Sequence, residues 1–408
     1  MQEMFLTARQ TRDLLEQYGS PLYVYSEQIL RQRCRDMVGM LPKDNAFVSY
    51  SVKANTNLTL LRIAREEGLH ADAMSLGEVE LCRIAGFAPD EIFYVCNNVS
   101  AAEMKAVAGQ GIVVSVDAVS QMETFAKACP GGRAAVRVNT EFGDGHSDKV
   151  ITAGKKTKFG VQLCFMDDVR RAAEKGGVKI VGLNQHIGSA VRDPSHYEAA
   201  ANVLIDEALK FPELELLDFG GGFAVPYKEG EASLDLNAMH AMFERLRARL
   251  VAEHPNGKNI SIRIEPGRYV AAECGVLLGT VEAVKVNHEK TYVGTDIGFN
   301  DLIRPMLYDA YHTIVFLESE GKVQPVTVTG NICESGDILA KDRELPLAKE
   351  GETVAVLTAG AYGFVMSSDY NCRMRPAEVL VSADGSTKLI RRRETIDDIV
   401  RTMCPEEE

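Results

Sequence analysis

Ala46-Phe47-Val48-Ser49-Tyr50-Ser51-Val52-Lys53-Ala54-Asn55-Thr56-Asn57 is an apolar run that ends on a lysine. The run has the length and β-prone composition of a buried strand, and Lys53 stands at its mouth. An ammonium placed there has to be desolvated or paired. That position suits chemistry, because a lysine whose pKa is depressed by its surroundings forms a Schiff base with a carbonyl compound. The plain alternative is a strand-end lysine whose stem packs while its head reaches water.

The same arrangement recurs, and the recurrence decides between fold classes. Short β-prone runs cover Ala46 to Tyr50, His70 to Ala73, Ile92 to Val95, Ile112 to Val116, Ala134 to Val138, Ile180 to Gln185, Leu214 to Phe219 and Ile260 to Ile264. Stretches between them, such as Leu76 to Ile84 and Tyr197 to Leu209, are rich in Ala, Leu, Glu and Arg and read as amphipathic helices over a parallel sheet. Eight such units in roughly 220 residues favour a closed α/β barrel over an open doubly wound sheet. Lys53, Asp72, His186, Gly220 to Gly222 and Glu265 each follow a different run, which gathers them on the loop face where barrels carry their chemistry.

After Arg268 the texture changes to β-branched runs at Val276 to Val286, Lys290 to Val293, Val323 to Thr329, Thr353 to Thr358 and Ala377 to Val381. The fold class expected is α/β: a (β/α)8 TIM barrel over residues 26–268 with a second, mostly β C-terminal domain over 269–408. Residues 1–25, ending in the strand-like Leu22-Tyr23-Val24-Tyr25, are expected to pack with the β domain.

The chain has 408 residues, 46% hydrophobic and 25% charged, enough for two sizeable cores. A net charge of -13 argues against nonspecific affinity for nucleic acid or anionic membranes. The opening residues do not read as a leader and no apolar stretch is of spanning length, so a cytoplasmic protein is expected. The nine cysteines run from Cys34 to Cys404 without a C-x-x-C pair, which indicates neither a disulfide framework nor a structural zinc site.

Leu217-Asp218-Phe219-Gly220-Gly221-Gly222-Phe223 runs a strand into three glycines, whose bare N–H groups can close around a phosphate. A dinucleotide site would want G-x-G-x-x-G opening a helix, and Phe223-Ala224-Val225-Pro226 does not start one. Arg263-Ile264-Glu265-Pro266-Gly267-Arg268 places a carboxylate and a guanidinium on a rigid turn. They make either a buried ion pair or a partner for a pyridine nitrogen and an anion. His186-Ile187-Gly188-Ser189 adds an imidazole that could stack on a flat ring, or a core histidine, beside a hydroxyl. Gly330-Asn331-Ile332-Cys333-Glu334-Ser335-Gly336-Asp337 sets a thiol beside a carboxylate, suited to proton donation and to holding an ammonium. Arg304-Pro305-Met306-Leu307-Tyr308 offers a fork for a carboxylate.

Together with Asn300-Asp301-Leu302-Ile303-Arg304-Pro305 and Gly360-Ala361-Tyr362-Gly363, these motifs in this order resemble the barrel-type pyridoxal phosphate decarboxylases, which include ornithine and arginine decarboxylases. The resemblance covers nearly the whole chain. It implies pyridoxal 5'-phosphate held by Lys53, His186 against its ring, and Glu265 with Pro266 and Gly267 at its pyridine nitrogen. Ser189, Gly220, Gly221, Gly222, Arg268 and Tyr362 surround its phosphate edge in that reading, and Asp72 and Arg137 support the Lys53 end. Substrate is expected to meet Arg268, Arg304, Tyr308, Glu334 and Tyr362, with Cys333 as proton donor. The implied assembly is a homodimer with shared sites. The paired fork and carboxylate of Arg304 and Glu334 favour meso-2,6-diaminopimelate, giving L-lysine and carbon dioxide as the last step of bacterial lysine biosynthesis. Ornithine, lysine or arginine is the alternative substrate. The pattern departs from the family at Asn184, Gln185 and Ala190. An amino-acid racemase would want a tyrosine as opposing base, and a noncatalytic homologue would not be expected to keep Lys53, Glu265 and Cys333.

Overall fold

The computed structural model describes residues 4–141, 153–154, 157–189 and 191–403, with the backbone of Asp144 and Gly145. Ala190 and Cys404 lie outside the described residues. The chain divides into two compact units, one of Arg31–Val225 with Ala232–Val270, the other of Met1–Leu30, Pro226–Glu231 and Ala271–Glu408.

The first unit is built on eight strands: β1 (Ala46–Ser51), β2 (His70–Ala73), β3 (Ile92–Val95), β4 (Val113–Val116), β5 (Arg133–Asn139), β6 (Lys179–Asn184), β7 (Leu216–Asp218) and β8 (Ser261–Ile264). Each pairs in parallel with the next, and β8 pairs back onto β1 through Ile262 opposite Ala46, so the barrel expected from the eight runs is closed. Strands covered on both faces carry continuous apolar runs, and Ile92–Val95 is buried at every position. Phe93, Ala135 and Leu216, from the alternate strands β3, β5 and β7, pack as one interior layer. The covering helices start where short polar side chains satisfy exposed N–H groups. Asn57 accepts from Thr59 N–H at 3.0 Å to open Leu58–Glu66, and Ser75 accepts from Glu78 N–H at 3.2 Å to open Leu76–Ala85.

The second unit is mostly sheet, as expected. Its main path runs Ile338–Pro346, Val323–Thr329, Lys290–Thr295, Gly275–Asn287, Leu22–Ser26, Ala377–Val381, Thr387–Arg391, with Thr353–Val356 and Ile314–Phe316 attached beside Gly275–Asn287. Leu22 and Val24 alternate onto the face that holds Val276, Leu278, Ala377 and Val379, all buried. Burial of each such Val or Leu side chain contributes roughly 1.5–3 kcal/mol. Tyr23 and Tyr25 take the other face, donating to Asp301 O at 2.7 Å and Glu378 Oε1 at 2.6 Å.

Candidate active site

β1 ends at Ser51, and the chain then makes one 3-10 turn, Val52–Ala54, that carries Lys53. Register puts Ser51 opposite Asp72 at the end of β2. Ser51 Oγ donates to Asp72 Oδ2 at 3.0 Å, and Lys53 Nζ meets the same oxygen at 3.2 Å. The Asp72 side chain is wholly buried while that of Lys53 keeps 37% of its surface, so a fixed carboxylate aims a lysine that remains accessible.

Glu265 follows β8 and Asp218 ends β7. Glu265 N–H donates to Gly220 O at 2.9 Å, and Asp218 Oδ1 accepts from Gly220 N–H at 2.7 Å. Burial raises the Glu265 carboxyl well above the usual range, and the negative charges of Asp218 and Asp72 push it the same way, against Lys53 and Arg137. Asp218 is pushed up to about 6, chiefly by burial. Arg137, on β5 and only 4% exposed, faces Glu265, Asp117 and Asp72 and lies 4.6 Å over the Phe159 ring. The sequence reading gave Asp218 no role; its signal was an aspartate inside an apolar strand just before three glycines.

His186 Nδ1 accepts from Gly221 N–H at 3.1 Å, which places the ring proton on Nε2. Burial first, then the charges of Arg137 and Lys53, hold this imidazole well below its usual pKa, so it is neutral. The three glycines are demanded by close backbone approach. A Cβ would stand 2.2 Å from Gln185 O at Gly220, 1.9 Å from Glu265 O at Gly221 and 2.3 Å from Gly188 O at Gly222, and Gly220 and Gly222 have φ of +74° and +99°. Tyr197 OH, also unforeseen, donates to Gly220 O at 3.0 Å. Ser189 pairs in parallel with Gly145, and Val191 N–H donates to Gly222 O at 2.9 Å. Pro266 and Gly267 are buried, with Pro266 O accepting from Ser51 N–H at 3.1 Å, and Arg268 opens the short helix Arg268–Ala271. Of the positions that depart from the family pattern, Asn184 accepts from Ser115 Oγ and Gln185 is 1% exposed.

Lys53, Asp72, Arg137, His186, Ser189, Gly220 to Gly222, Glu265 and Arg268 thus all belong to the barrel unit. The remaining expected residues belong to the β-rich unit. Arg304 opens the helix Arg304–Tyr308 and is 3% exposed; its Nη1 donates to Tyr227 OH at 3.1 Å and meets His312 Nε2 at 2.8 Å. Tyr308 lies one turn along the same helix and is half-buried. Cys333 and Glu334 sit on an exposed loop whose ends are tied by Asp337, which accepts from Phe299 N–H and Ile332 N–H, both at 2.7 Å. Cys333 N–H donates to Asn371 Oδ1 at 3.3 Å, and Glu334 Oε1 accepts from Tyr370 OH at 2.8 Å. Tyr362 is half-buried, with a φ of +56°. Tyr227, His312 and Tyr370 were not anticipated.

Residues 27–272 match the family model described as the pyridoxal binding domain of pyridoxal-dependent decarboxylases. The chain belongs to this family. It is 39% identical over 399 residues to the diaminopimelate decarboxylase of Methanothermobacter thermautotrophicus, covering 95% of this chain and 92% of that one. A crystal structure of diaminopimelate decarboxylase superposes with a TM-score of 0.90 at 32% identity, covering 98% of both chains. The Helicobacter pylori diaminopimelate decarboxylase complexed with L-lysine gives a TM-score of 0.87 at 28% identity, covering 96% of this chain and 98% of that chain.

The barrel residues fit what a pyridoxal-dependent decarboxylase has to hold. Among the described residues, Glu265 Oε1, Asp72 Oδ1 and both amide atoms of Gln185 are buried without a hydrogen-bond partner. Unpaired buried polar atoms cost about 1–3 kcal/mol each and are kept where a function uses them. A protonated ring nitrogen would supply the donor that Glu265 Oε1 lacks.

Proposed function

We propose that the chain catalyses the pyridoxal 5'-phosphate-dependent decarboxylation of meso-2,6-diaminopimelate to L-lysine and carbon dioxide, in the cytoplasm, as a homodimer whose sites draw on both chains. The observation that carries this reading is the Lys53, Asp72 and Glu265 constellation at the barrel's carboxyl ends, in a chain that aligns over nearly its full length with diaminopimelate decarboxylases.

The cofactor, when bound, takes up the electron pair left at the substrate's Cα as carbon dioxide departs. The chain's residues do the rest. Lys53 Nζ anchors the cofactor and is aimed by Asp72 Oδ2. With the cofactor in place, Glu265 would pair with the ring nitrogen and hold a proton between them, and Arg137 with Asp72 would balance charge around it. His186, neutral and fixed through Gly221 N–H, covers the ring face. Ser189, the N–H groups of Gly220 to Gly222, Arg268 and Tyr362 receive the phosphate. Arg304 and Tyr308 take the distal carboxylate and Glu334 the distal ammonium. Cys333 Sγ passes its proton to Cα from the loop of the partner chain.

Carbon dioxide release measured with diaminopimelate, lysine, ornithine and arginine tests the substrate. Turnover is expected to be fastest on diaminopimelate by a wide margin; faster release from lysine or ornithine would overturn the assignment.

A further inference from the structure

Arg263 points into the barrel. It stands on β8 in register with Asp218 of β7 and Phe47 of β1, and its guanidinium carbon lies 6.0 Å from the Phe47 ring centroid and 5.9 Å from that of Phe93, a member of the interior layer. Side chains two residues apart on a strand share a face, so Asp218 sits inward with Leu216, and Glu265 follows Arg263 on the same side. Little bonds to this guanidinium. Nε is buried without a hydrogen-bond partner, and Nη2 reaches Asp90 O only at 3.5 Å. The carboxylates that face it, Asp218, Glu265 and Asp90, act through space, with none at ion-pair distance among the described residues. His70, stacked on Phe47 at 4.7 Å, is held below its usual pKa by burial and then by Arg263, so it adds no charge at neutral pH.

Taking a guanidinium out of water without a contact partner is costly, and in a low dielectric its field reaches across several ångströms. The carboxylate that answers it most strongly is Asp218. Asp218 also shares a hydrogen bond with the Glu265 carboxyl, which requires a proton on one of the two. Burial raises both groups, Glu265 well above its usual range and Asp218 to about 6, so the proton belongs to Glu265 and the charge to Asp218. Arg263 is the cation that favours that charge. The other groups facing the pair come from several elements. Asp72 from β2 opposes a further charge, Lys53 and Arg137 favour an ionised Glu265, and Tyr197, from the helix Pro194–Ala208, keeps its phenol proton through burial.

We propose that Arg263 is a positioning residue that holds Asp218 as a carboxylate, so that the pair of Asp218 and Glu265 keeps one negative charge for the protonated ring nitrogen of the cofactor. This rests on the role given to Glu265 above. Glu265 Oε1 would accept from the ring N–H while Glu265 donates to Asp218, so the ring's charge is answered at Asp218. A pair that takes up a second proton has no charge left to offer, and the site then grips the cofactor less. Without Arg263 that second proton binds at higher pH.

The test is the pH dependence of cofactor affinity, followed by absorbance as pyridoxal 5'-phosphate is added to cofactor-stripped enzyme from about pH 5 to about pH 8. In wild type the affinity should fall as pH drops through the Asp218 titration. A carboxyl that loses a neighbouring cation is raised, so in Arg263→Met the fall should begin at least about one pH unit higher, with Kd about tenfold higher in between. Arg263→Lys, which keeps the charge, should stay with wild type. In an Asp218→Asn background, Arg263→Met should move the midpoint less than about half as far. Titrations of the cofactor, Lys53 and His186 are common to all variants and cancel in the comparison. Should Arg263→Met fail to fold, Arg263→Gln carries the same expectation. An acid limb unmoved in a folded neutral variant would overturn the proposal, as would an equal loss of affinity at every pH or an equal shift in the Asp218→Asn background. If wild type binds no cofactor, the reading of Glu265 falls first and this inference with it; if wild type binds it and the neutral variants match wild type, this inference alone falls.

Discussion

Asp72 serves two neighbours through one oxygen, accepting from Ser51 Oγ and meeting Lys53 Nζ. That arrangement leaves Lys53 as the lysine to which a carbonyl cofactor would be joined. Lys53→Ala should abolish the visible absorbance of bound cofactor and nearly all turnover, and borohydride reduction of the wild-type holoenzyme should label Lys53; a label on another lysine would refute the assignment. Asp218 and Glu265 make a second residue-scale case. Burial pushes Asp218 up to about 6 in the folded chain. In an unfolded chain an aspartate titrates near about 3.9, so between these values the folded state binds more protons and stability falls as pH rises. Asp218→Asn keeps an acceptor for Gly220 N–H and removes that penalty. In cofactor-free protein, urea unfolding should show the variant gaining on wild type by on the order of 2 kcal/mol between pH 4 and pH 7; a gap independent of pH would refute this. The placement of Lys53, His186 and Glu265 just past barrel strands could be read from sequence because each follows a recognisable run. Asp218 could not, because its importance comes from Glu265, which only barrel closure brings close. The acceptors of Arg304 were hidden for a like reason, since Tyr227 lies in a separate segment of chain.

At the scale of elements, the glycine loop is where backbones pass closest. Gly221→Ala would drive a methyl to 1.9 Å from Glu265 O, and because that neighbour is backbone it cannot swing aside. A loss of about 2–4 kcal/mol in unfolding free energy is expected, with weakened cofactor binding by absorbance titration. The helix Arg304–Tyr308 carries the specificity prediction. Arg304→Ala should depress kcat/KM for diaminopimelate by roughly 2–5 kcal/mol of transition-state binding, and depress residual activity on lysine far less; equal losses would sink the distal-carboxylate role. Most barrel strands were legible because both faces are covered, which writes apolar runs such as Ile92–Val95, whereas His70–Ala73 and Ser261–Ile264 carry polar residues and were legible from their spacing in the series. In the β-rich unit, Val323–Thr329 and Ala377–Val381 were read at their observed limits. Ile338–Pro346 and Thr387–Arg391 were not, because they end the sheet path and bury few of their residues, leaving a polar sequence with little periodic signal.

At the scale of the molecule, Cys333 and Glu334 stand on an exposed loop of the β-rich unit, and the shared-site reading assigns them to another chain's barrel. Lys53→Ala and Cys333→Ala chains, each nearly inactive, should recover about a quarter of wild-type activity when mixed equally and allowed to exchange, since half the dimers are mixed and each holds one intact site. No recovery despite demonstrated exchange would mean that Cys333 serves its own chain or is dispensable. The strand Leu22–Ser26 bears on how such a chain is made. Its two neighbours are Gly275–Asn287 and Ala377–Val381. A ribosome delivers Leu22 to Ser26 early, and the last residue of their second partner on the order of half a minute later at ordinary elongation rates. All the strands of the barrel have been translated by Ile264, so that unit can close first, while an apolar stretch that emerged before it still waits for company. The nascent polypeptide therefore carries a sticky, unpartnered segment through most of its synthesis, and a chaperone that shields it at the tunnel exit would act on residues made before the barrel and sheltered after it.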